Sequence, residues 1–97
     1  MTYQELVNQT IFSTESQQII NEAVEQHKET LRLRVLSKAI DKVTMSLFFV
    51  IRDNDFGDLK NKRGERIEAL DPHTTAMHIM EDEGFSLSAL RVDEQLD

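Results

Sequence analysis

The sequence predicts an α+β fold, in which a long N-terminal helical segment and a second helix pack on a small, mainly antiparallel sheet. Residues 14–55 contain neither Gly nor Pro, which favours long regular elements. Residues 43–52 are rich in the β-branched and aromatic side chains typical of strands, and residues 71–84 carry the start and stop signals of a helix. A length of 97 residues is that of one domain, so we expect a single domain over residues 1–97 with a frayed acidic tail at 92–97.

The N-terminal part of the chain is predicted to be helical. Thr2 and Glu5 fit a capping box, and apolar residues follow at helical spacing, so we expect a short first helix near residues 3–10. Ser13 or Thr14 can begin the next helix, which belongs to the long N-terminal helical segment. The Gln, Glu, Lys, Leu and Ala content that follows predicts one long helix over about residues 14–41.

The predicted long helix changes its apolar face partway along. Two apolar stripes lie on nearly opposite sides of an ideal helix. They consist of Ile20, Val24, His27, Leu31 and Val35, and of Leu33, Leu36, Ile40 and Val43. Either the helix kinks or breaks near residues 30–35, or its two halves pack on different surfaces. The alternation of Leu and Arg over residues 31–35 also permits a short strand, although a helix is favoured.

Packing of the two halves on different surfaces predicts a homodimer. A monomer of this size would leave one stripe in water, as an exposed patch on the order of several hundred Å². A two-fold partner is the commonest way to cover such a patch. We therefore expect a homodimer whose seam is drawn from Ile20, Val24, Leu31, Leu33, Leu36 and Ile40.

The middle of the chain is expected to supply the sheet. Residues 43–52 predict a central strand. One face of that strand would carry Val43, Met45, Leu47, Phe49 and Ile51. The composition of residues 53–58 predicts a turn. Residues 59–66 are expected to form an exposed basic loop or a hairpin tip around Gly64, and residues 66–70 a short second strand.

A second helix is clearly punctuated near the C-terminus. Asp71 is its predicted cap, Pro72 occupies the first helical position, and Gly84 stops it. Phe85 can then pack back onto the helix, as in a Schellman ending. Residues 85–92 alternate apolar and polar side chains before the phase breaks, which predicts a strand with an irregularity.

The net charge of −7 is distributed unevenly. Residues 1–26 carry four acids and no base, residues 27–66 carry ten of the eleven basic residues, and residues 67–97 carry eight acids against one Arg. We expect the folded chain to juxtapose these opposite charges. Acidic ends weigh against nucleic-acid binding by the whole molecule, but they leave room for a local basic site.

No residue pattern indicates a catalytic, cofactor or metal site. The chain has no Cys, which excludes thiolate catalysis and the zinc and iron–sulfur sites that Cys builds. His73 and His78 would lie about 140° apart around a helix, so they cannot share a ligand face. Asp53 and Asp55 begin like a calcium loop, but the later positions of the motif do not match. We therefore expect no enzyme, no cofactor and no metal.

Neither a membrane segment nor a secretory signal is expected. The longest uninterrupted apolar run, residues 47–51, is far shorter than the about 20 residues of a membrane helix. Residues 1–9 have neither the basic region nor the apolar region of a signal peptide. With no Cys to suggest an oxidising compartment, we expect a soluble, cytoplasmic protein.

These features favour a small non-enzymatic protein-interaction or regulatory module, such as an inhibitor or adaptor of a larger assembly. The alternative is a nucleic-acid-associated protein with two candidate basic sets. The sets are Lys60, Lys62, Arg63 and Arg66 in the basic loop (residues 60–66), and Arg34, Lys38 and Lys42 in a basic row at helical spacing. In the inverse case, the acids near 81–83 and 93–97 would mimic nucleic acid, as in a compact inhibitor of viral or plasmid origin.

Overall fold

The structure, a computed structural model, describes residues 2–54, 60–66 and 71–90. Within these ranges the chain forms helices and no β-strand. The helices are α1 (Tyr3–Gln9), α2 (Thr14–Thr30), α3 (Leu33–Asp53), α4 (Pro72–Asp82) and the short α5 (Leu87–Leu90). Because α3 contacts each of the others, it forms the centre of a bundle-like packing. The prediction of an α+β fold with a small antiparallel sheet is therefore wrong for the described residues.

Hydroxyl side chains begin the first two helices, as predicted. The backbone N–H of Glu5 donates to Thr2 Oγ1 at 3.1 Å, and that of Ser16 donates to Ser13 Oγ at 3.1 Å. These bonds satisfy donors that the first turn of a helix leaves without a partner. The short helix predicted near residues 3–10 and the helix start after Ser13 are confirmed.

The long helix predicted over residues 14–41 is broken at Leu31. This residue has φ 54° and ψ 33°, a left-handed conformation that ends a helix, and its N–H donates to the His27 carbonyl at 2.6 Å. α3 begins two residues later, at Leu33. The prediction of one continuous helix is wrong, and the alternative of a break near residues 30–35 is confirmed.

The break allows both apolar stripes to face one core. Side chains of α2 and of the N-terminal half of α3 line a common groove, so α2 folds back along α3. Ile20 of the first stripe and Leu36 of the second are both buried in the same hydrophobic cluster. The expectation that a monomer leaves one stripe in water is therefore wrong. The homodimer itself stays a prediction.

Side chains from α1 to α4 and the turn after α1 build the hydrophobic core. The buried apolar residues are Leu6, Val7, Ile11, Ile20, Ala23, Leu36, Ala39, Val43, Leu47, Ile51, Ala76, Ile79 and Met80. α3 contributes more of them than any other helix, which agrees with its central position. The core is therefore organised around one long helix rather than around a sheet.

The central strand predicted at 43–52 is instead the second half of α3. Val43 and Leu47, which are one helical turn apart, are both buried. Met45 and Phe49, which a strand would place on the same face, are 39% and 44% exposed. Burial along one helix face therefore decides the conformation, and it outweighs the β-propensity of the branched and aromatic side chains.

α4 has the predicted start and stop. The Thr74 backbone N–H donates to Asp71 Oδ1 at 3.0 Å, and a proline occupies the first turn. Gly84 has φ 85°, and the Phe85 N–H donates to the Met80 carbonyl at 2.8 Å. This is the backbone pattern of a Schellman ending, which only a residue that tolerates positive φ completes without strain. Both predictions are confirmed.

The strand predicted at 85–92 is helical where it is described. α5 covers Leu87–Leu90, and Ser86 Oγ accepts a hydrogen bond from the Ala89 N–H at 3.2 Å, as a helix cap does. The serine that produced the alternation in the sequence therefore begins a helical turn. The strand prediction is wrong up to residue 90.

The basic loop at 60–66 forms a hairpin tip, one of the two predicted forms. Lys60 and Arg66 make an isolated antiparallel bridge. Two backbone N–H groups of the loop donate to Asn61 Oδ1, at 2.9 and 3.1 Å, and Gly64 turns the chain with φ 81°. Three other predicted segments lie wholly or mostly outside the described residues: the turn at 53–58, the strand at 66–70 and the tail at 92–97.

Candidate functional site

The basic loop is paired with acids of the same chain. Lys62 Nζ lies 2.9 Å from Glu83 Oε1, and Arg63 Nε lies 2.9 Å from Glu65 Oε1. Arg63 Nε is also 3.5 Å from Asp82 Oδ2, an ion-pair contact without hydrogen-bond geometry. The expected juxtaposition of opposite charges is confirmed at this point. Because these cations are about half exposed, the pairs contribute little to stability, but they engage two of the predicted contact residues.

Glu83 connects three parts of the fold. Its side chain is only 8% exposed, and Oε1 accepts a hydrogen bond from the Tyr3 hydroxyl at 2.8 Å as well as contacting Lys62. Burial of the phenol, followed by the hydrogen bond to Glu83, raises the pKa of Tyr3. Sequence spacing gave no sign of this contact between α1 and the end of α4. The only signal was the opposite charge of the basic loop and of the acids at 81–83.

The basic row lies on a different part of the molecule. Arg34, Lys38 and Lys42 are exposed residues of α3. Lys38 and Lys42 line the groove between α2 and α3, whereas Lys62 of the basic loop contacts the C-terminal end of α4. The described contacts therefore do not join the two predicted basic sets into one site.

The predicted dimer seam is divided between core and surface. Ile20 and Leu36 are buried within the chain. Val24, Leu33 and Ile40 are half-buried, and Leu31 is 63% exposed at the helix break. Ile20 and Leu36 therefore belong to the core of one chain, and the seam as a whole stays a prediction.

The described surface carries an apolar cluster that was not predicted from the sequence. We call Met45, Phe48, Phe49 and Met77 the aromatic–methionine patch. The rings of Phe48 and Phe49 meet edge to face with centroids 5.3 Å apart, and the His73 ring lies 6.1 Å from Phe48. Met77, one helical turn after His73 on α4, is 52% exposed. The patch therefore extends from α3 onto α4.

An arginine covers part of this patch. Arg52 Cζ lies 4.8 Å from the centre of the Phe49 ring and 5.5 Å from that of Phe48, within cation–π range. Arg52 Nε also lies 3.0 Å from Asp53 Oδ1. The guanidinium is therefore positioned above apolar surface with one side facing a carboxylate.

A groove of about 400 Å³ separates α3 from α4 next to the patch. We call it the α3–α4 groove. Its apolar walls include Ile40, Met77, Met80 and Phe85. Asp41 and Glu81 line one end, and His73 lies near the other, beside Phe48. Helical periodicity could have indicated the aromatic–methionine patch, because Met45 and Phe49 are out of phase with the buried face of α3.

Two further findings concern membranes and metals. None of the described helices is both long enough and apolar enough to cross a bilayer. In the same parts of the chain, no group of three or more His, Asp or Glu residues is arranged to hold a metal ion.

Comparison with protein-family models, with curated proteins and with solved structures finds no match for the chain.

Proposed function

We propose that this chain is a non-enzymatic, cytoplasmic protein-interaction module that binds an amphipathic helix of another protein at the aromatic–methionine patch and the α3–α4 groove. The observation that carries the proposal is the exposure of Met45, Phe49 and Met77, together with Arg52 stacked over the Phe49 ring. Aromatic residues, Met and Arg are the types enriched at protein interfaces, where they supply most hot spots or adaptable contacts. An inhibitor or adaptor would use such a surface.

The shape of the site supports a helical partner. Two neighbouring helices form the walls of the α3–α4 groove, and a third helix can place apolar side chains into such a groove at intervals of one turn. The walls contain Met77 and Met80, and methionine adapts its shape to different side chains.

The charges around the groove support one orientation of that helix. Asp41 and Glu81 make one end acidic, whereas Arg52 lies over the rings at the opposite end. A partner helix with a basic residue toward Asp41 and an acidic residue toward Arg52 would be complementary. The complementary arrangement also disfavours the reverse orientation.

The structure does not favour the nucleic-acid alternatives over this proposal. Lys62 and Arg63 contact Glu83 and Asp82, so binding to phosphate would have to replace ion pairs within the chain. The same contacts occupy two of the three acids at 81–83 that nucleic-acid mimicry would use.

The proposal is tested by quantitative affinity capture from the cells in which the chain occurs. We expect proteins that the unmodified chain retains to be lost at least about tenfold from Phe49→Glu and from Met77→Glu, the scale of a hot-spot substitution. Leu31→Glu is the matched control, because it places the same charge at an exposed apolar position outside the patch. Circular dichroism would check that all three variants remain helical.

Two results would contradict the proposal. One is retention of the same proteins by the unmodified chain and both patch variants. The other is that the unmodified chain retains no protein that the patch variants lose.

A further inference from the structure

A second groove runs between α2 and α3. It has a volume of about 360 Å³. We call it the hairpin groove, after the helical hairpin that α2 and α3 form; it is unrelated to the hairpin tip at residues 60–66. Ala23 and Ala39 are buried at its floor, and Ile19 and Val35 are half-buried at its sides. This surface is distinct from the α3–α4 groove, because none of these side chains lines both.

The two lips of the hairpin groove carry opposite charges. Glu22 lies on the α2 lip, and Lys38 and Lys42 lie on the α3 lip; all three side chains are exposed. The exposed acid Glu29 extends the negative charge along α2, whereas Glu25 pairs with Lys28 of the same helix at 3.6 Å. One side of this face is therefore acidic and the other basic, with apolar surface between them.

We propose that the hairpin groove docks a second copy of this chain. A two-fold axis parallel to the helices would place α2 of each copy on α3 of the other. Because Glu22, Lys38 and Lys42 line the same stretch of the groove, each Glu22 would then meet the two lysines of its partner copy. A two-fold axis perpendicular to the helices within the interface would instead place acid on acid. The charges therefore select the first arrangement, which brings four helices together.

The size of the face is at the lower limit for a specific dimer. α2 has 17 residues and is therefore about 25 Å long, and two neighbouring helices span about 20 Å. A face of this size buries about 500 Å² on each copy, or about 1,000 Å² in total, the lower bound for a specific interface. A weak, salt-sensitive dimer follows, and its surface differs from the seam predicted from the sequence.

Sedimentation equilibrium of the full chain tests this inference. At low salt the mass should rise from 11.2 kDa toward twice that value over the micromolar to millimolar range. Glu22→Lys and Lys38→Glu, made singly, should each weaken association at least tenfold, because they place like charges together at both symmetric contacts. The combination of both substitutions should restore association, and added salt should weaken the unmodified dimer.

Three outcomes would overturn the inference: a monomer over the whole range, a dimer that survives both single substitutions, or failure of the combined variant to reassociate. Thermal unfolding of each variant separates lost association from lost folding. Met77→Glu is the control from the other surface, and it should leave the dimer intact. Partner binding and self-association can therefore fail independently.

Discussion

At the scale of single residues, the Glu83 carboxylate holds three parts of a small fold together. Its Oε1 atom accepts a hydrogen bond from the Tyr3 hydroxyl and contacts the Lys62 ammonium. A small domain buries a limited apolar area, so a polar contact between α1, the basic loop and α4 adds an orientation that apolar packing does not specify. The cost of burying the carboxylate is offset because both of its neighbours donate to it.

The ionisation of Tyr3 provides a pH-dependent test of this contact. Burial and the Glu83 hydrogen bond raise the pKa of Tyr3 in the folded state. The folded state therefore keeps its full stability below about pH 10, the pKa of a free phenol, and loses stability as the pH rises beyond that value, because the unfolded chain ionises first. The chain has one Tyr and no Trp, so phenolate absorbance reports this residue alone. Absorbance titration should show ionisation at a higher pH than in a denatured chain.

Substitution of the acid separates the two causes of this shift. Glu83→Gln should lower the pKa of Tyr3 toward its ordinary value, because the negative charge is removed while the phenol stays half-buried. Glu81→Gln is the matched control, an exposed acid two residues away. An equal titration of Tyr3 in both variants would show that Glu83 does not contact the phenol.

At the scale of elements, the sequence predicted the helices that have explicit boundary residues. The hydroxyls at Thr2 and Ser13 and the Asp71 cap identify helix starts, because a side-chain acceptor there satisfies a free backbone N–H. Gly84 identifies a helix end, because glycine adopts positive φ without strain. The break at Leu31 could not be placed in the same way, since leucine is a good helix former and gives no local signal to stop.

The break at Leu31 predicts a stabilising substitution. Leu31→Gly should increase the free energy of unfolding by about 0.5–1 kcal/mol. The substitution removes the cost of a left-handed leucine, about 1–2 kcal/mol, but the greater backbone entropy that glycine loses on folding cancels part of this gain. Little burial is lost, since the side chain is mostly exposed. Urea unfolding measures the change. Leu31→Ala keeps Cβ and should give no comparable gain; if alanine stabilises as much as glycine, backbone strain is not the cause.

The candidate site was less predictable than the helices. The sequence identified the charged residues of the basic loop but not their partners, because Lys62 and Glu83 are far apart along the chain and meet only in the tertiary structure. It also assigned Met45 and Phe49 to the core, since they share the two-residue period of a strand with Val43 and Leu47. Only the assignment of this segment to a helix places them on the surface.

At the scale of the whole molecule, α3 is shared by both proposed interfaces. One side of it forms the hairpin groove with α2, and another forms the α3–α4 groove with α4. A dimer formed through the first groove would carry two copies of the second. Two linked binding sites hold a two-site partner more tightly than either site alone, provided that the partner can span them. Self-association would therefore increase the affinity for a partner that presents two such helices.

The central position of α3 makes a quantitative prediction for the fold. Leu47→Ala should reduce the free energy of unfolding by about 2–5 kcal/mol, because it leaves a cavity at a fully buried position. That is a large share of the about 5–15 kcal/mol typical of a domain. Met45→Ala, two residues earlier, should cost far less, because its side chain is partly exposed on the other side of the helix. Chemical denaturation of the two variants decides between a helix and a strand here, since on a strand both residues would share one face and would cost similar amounts.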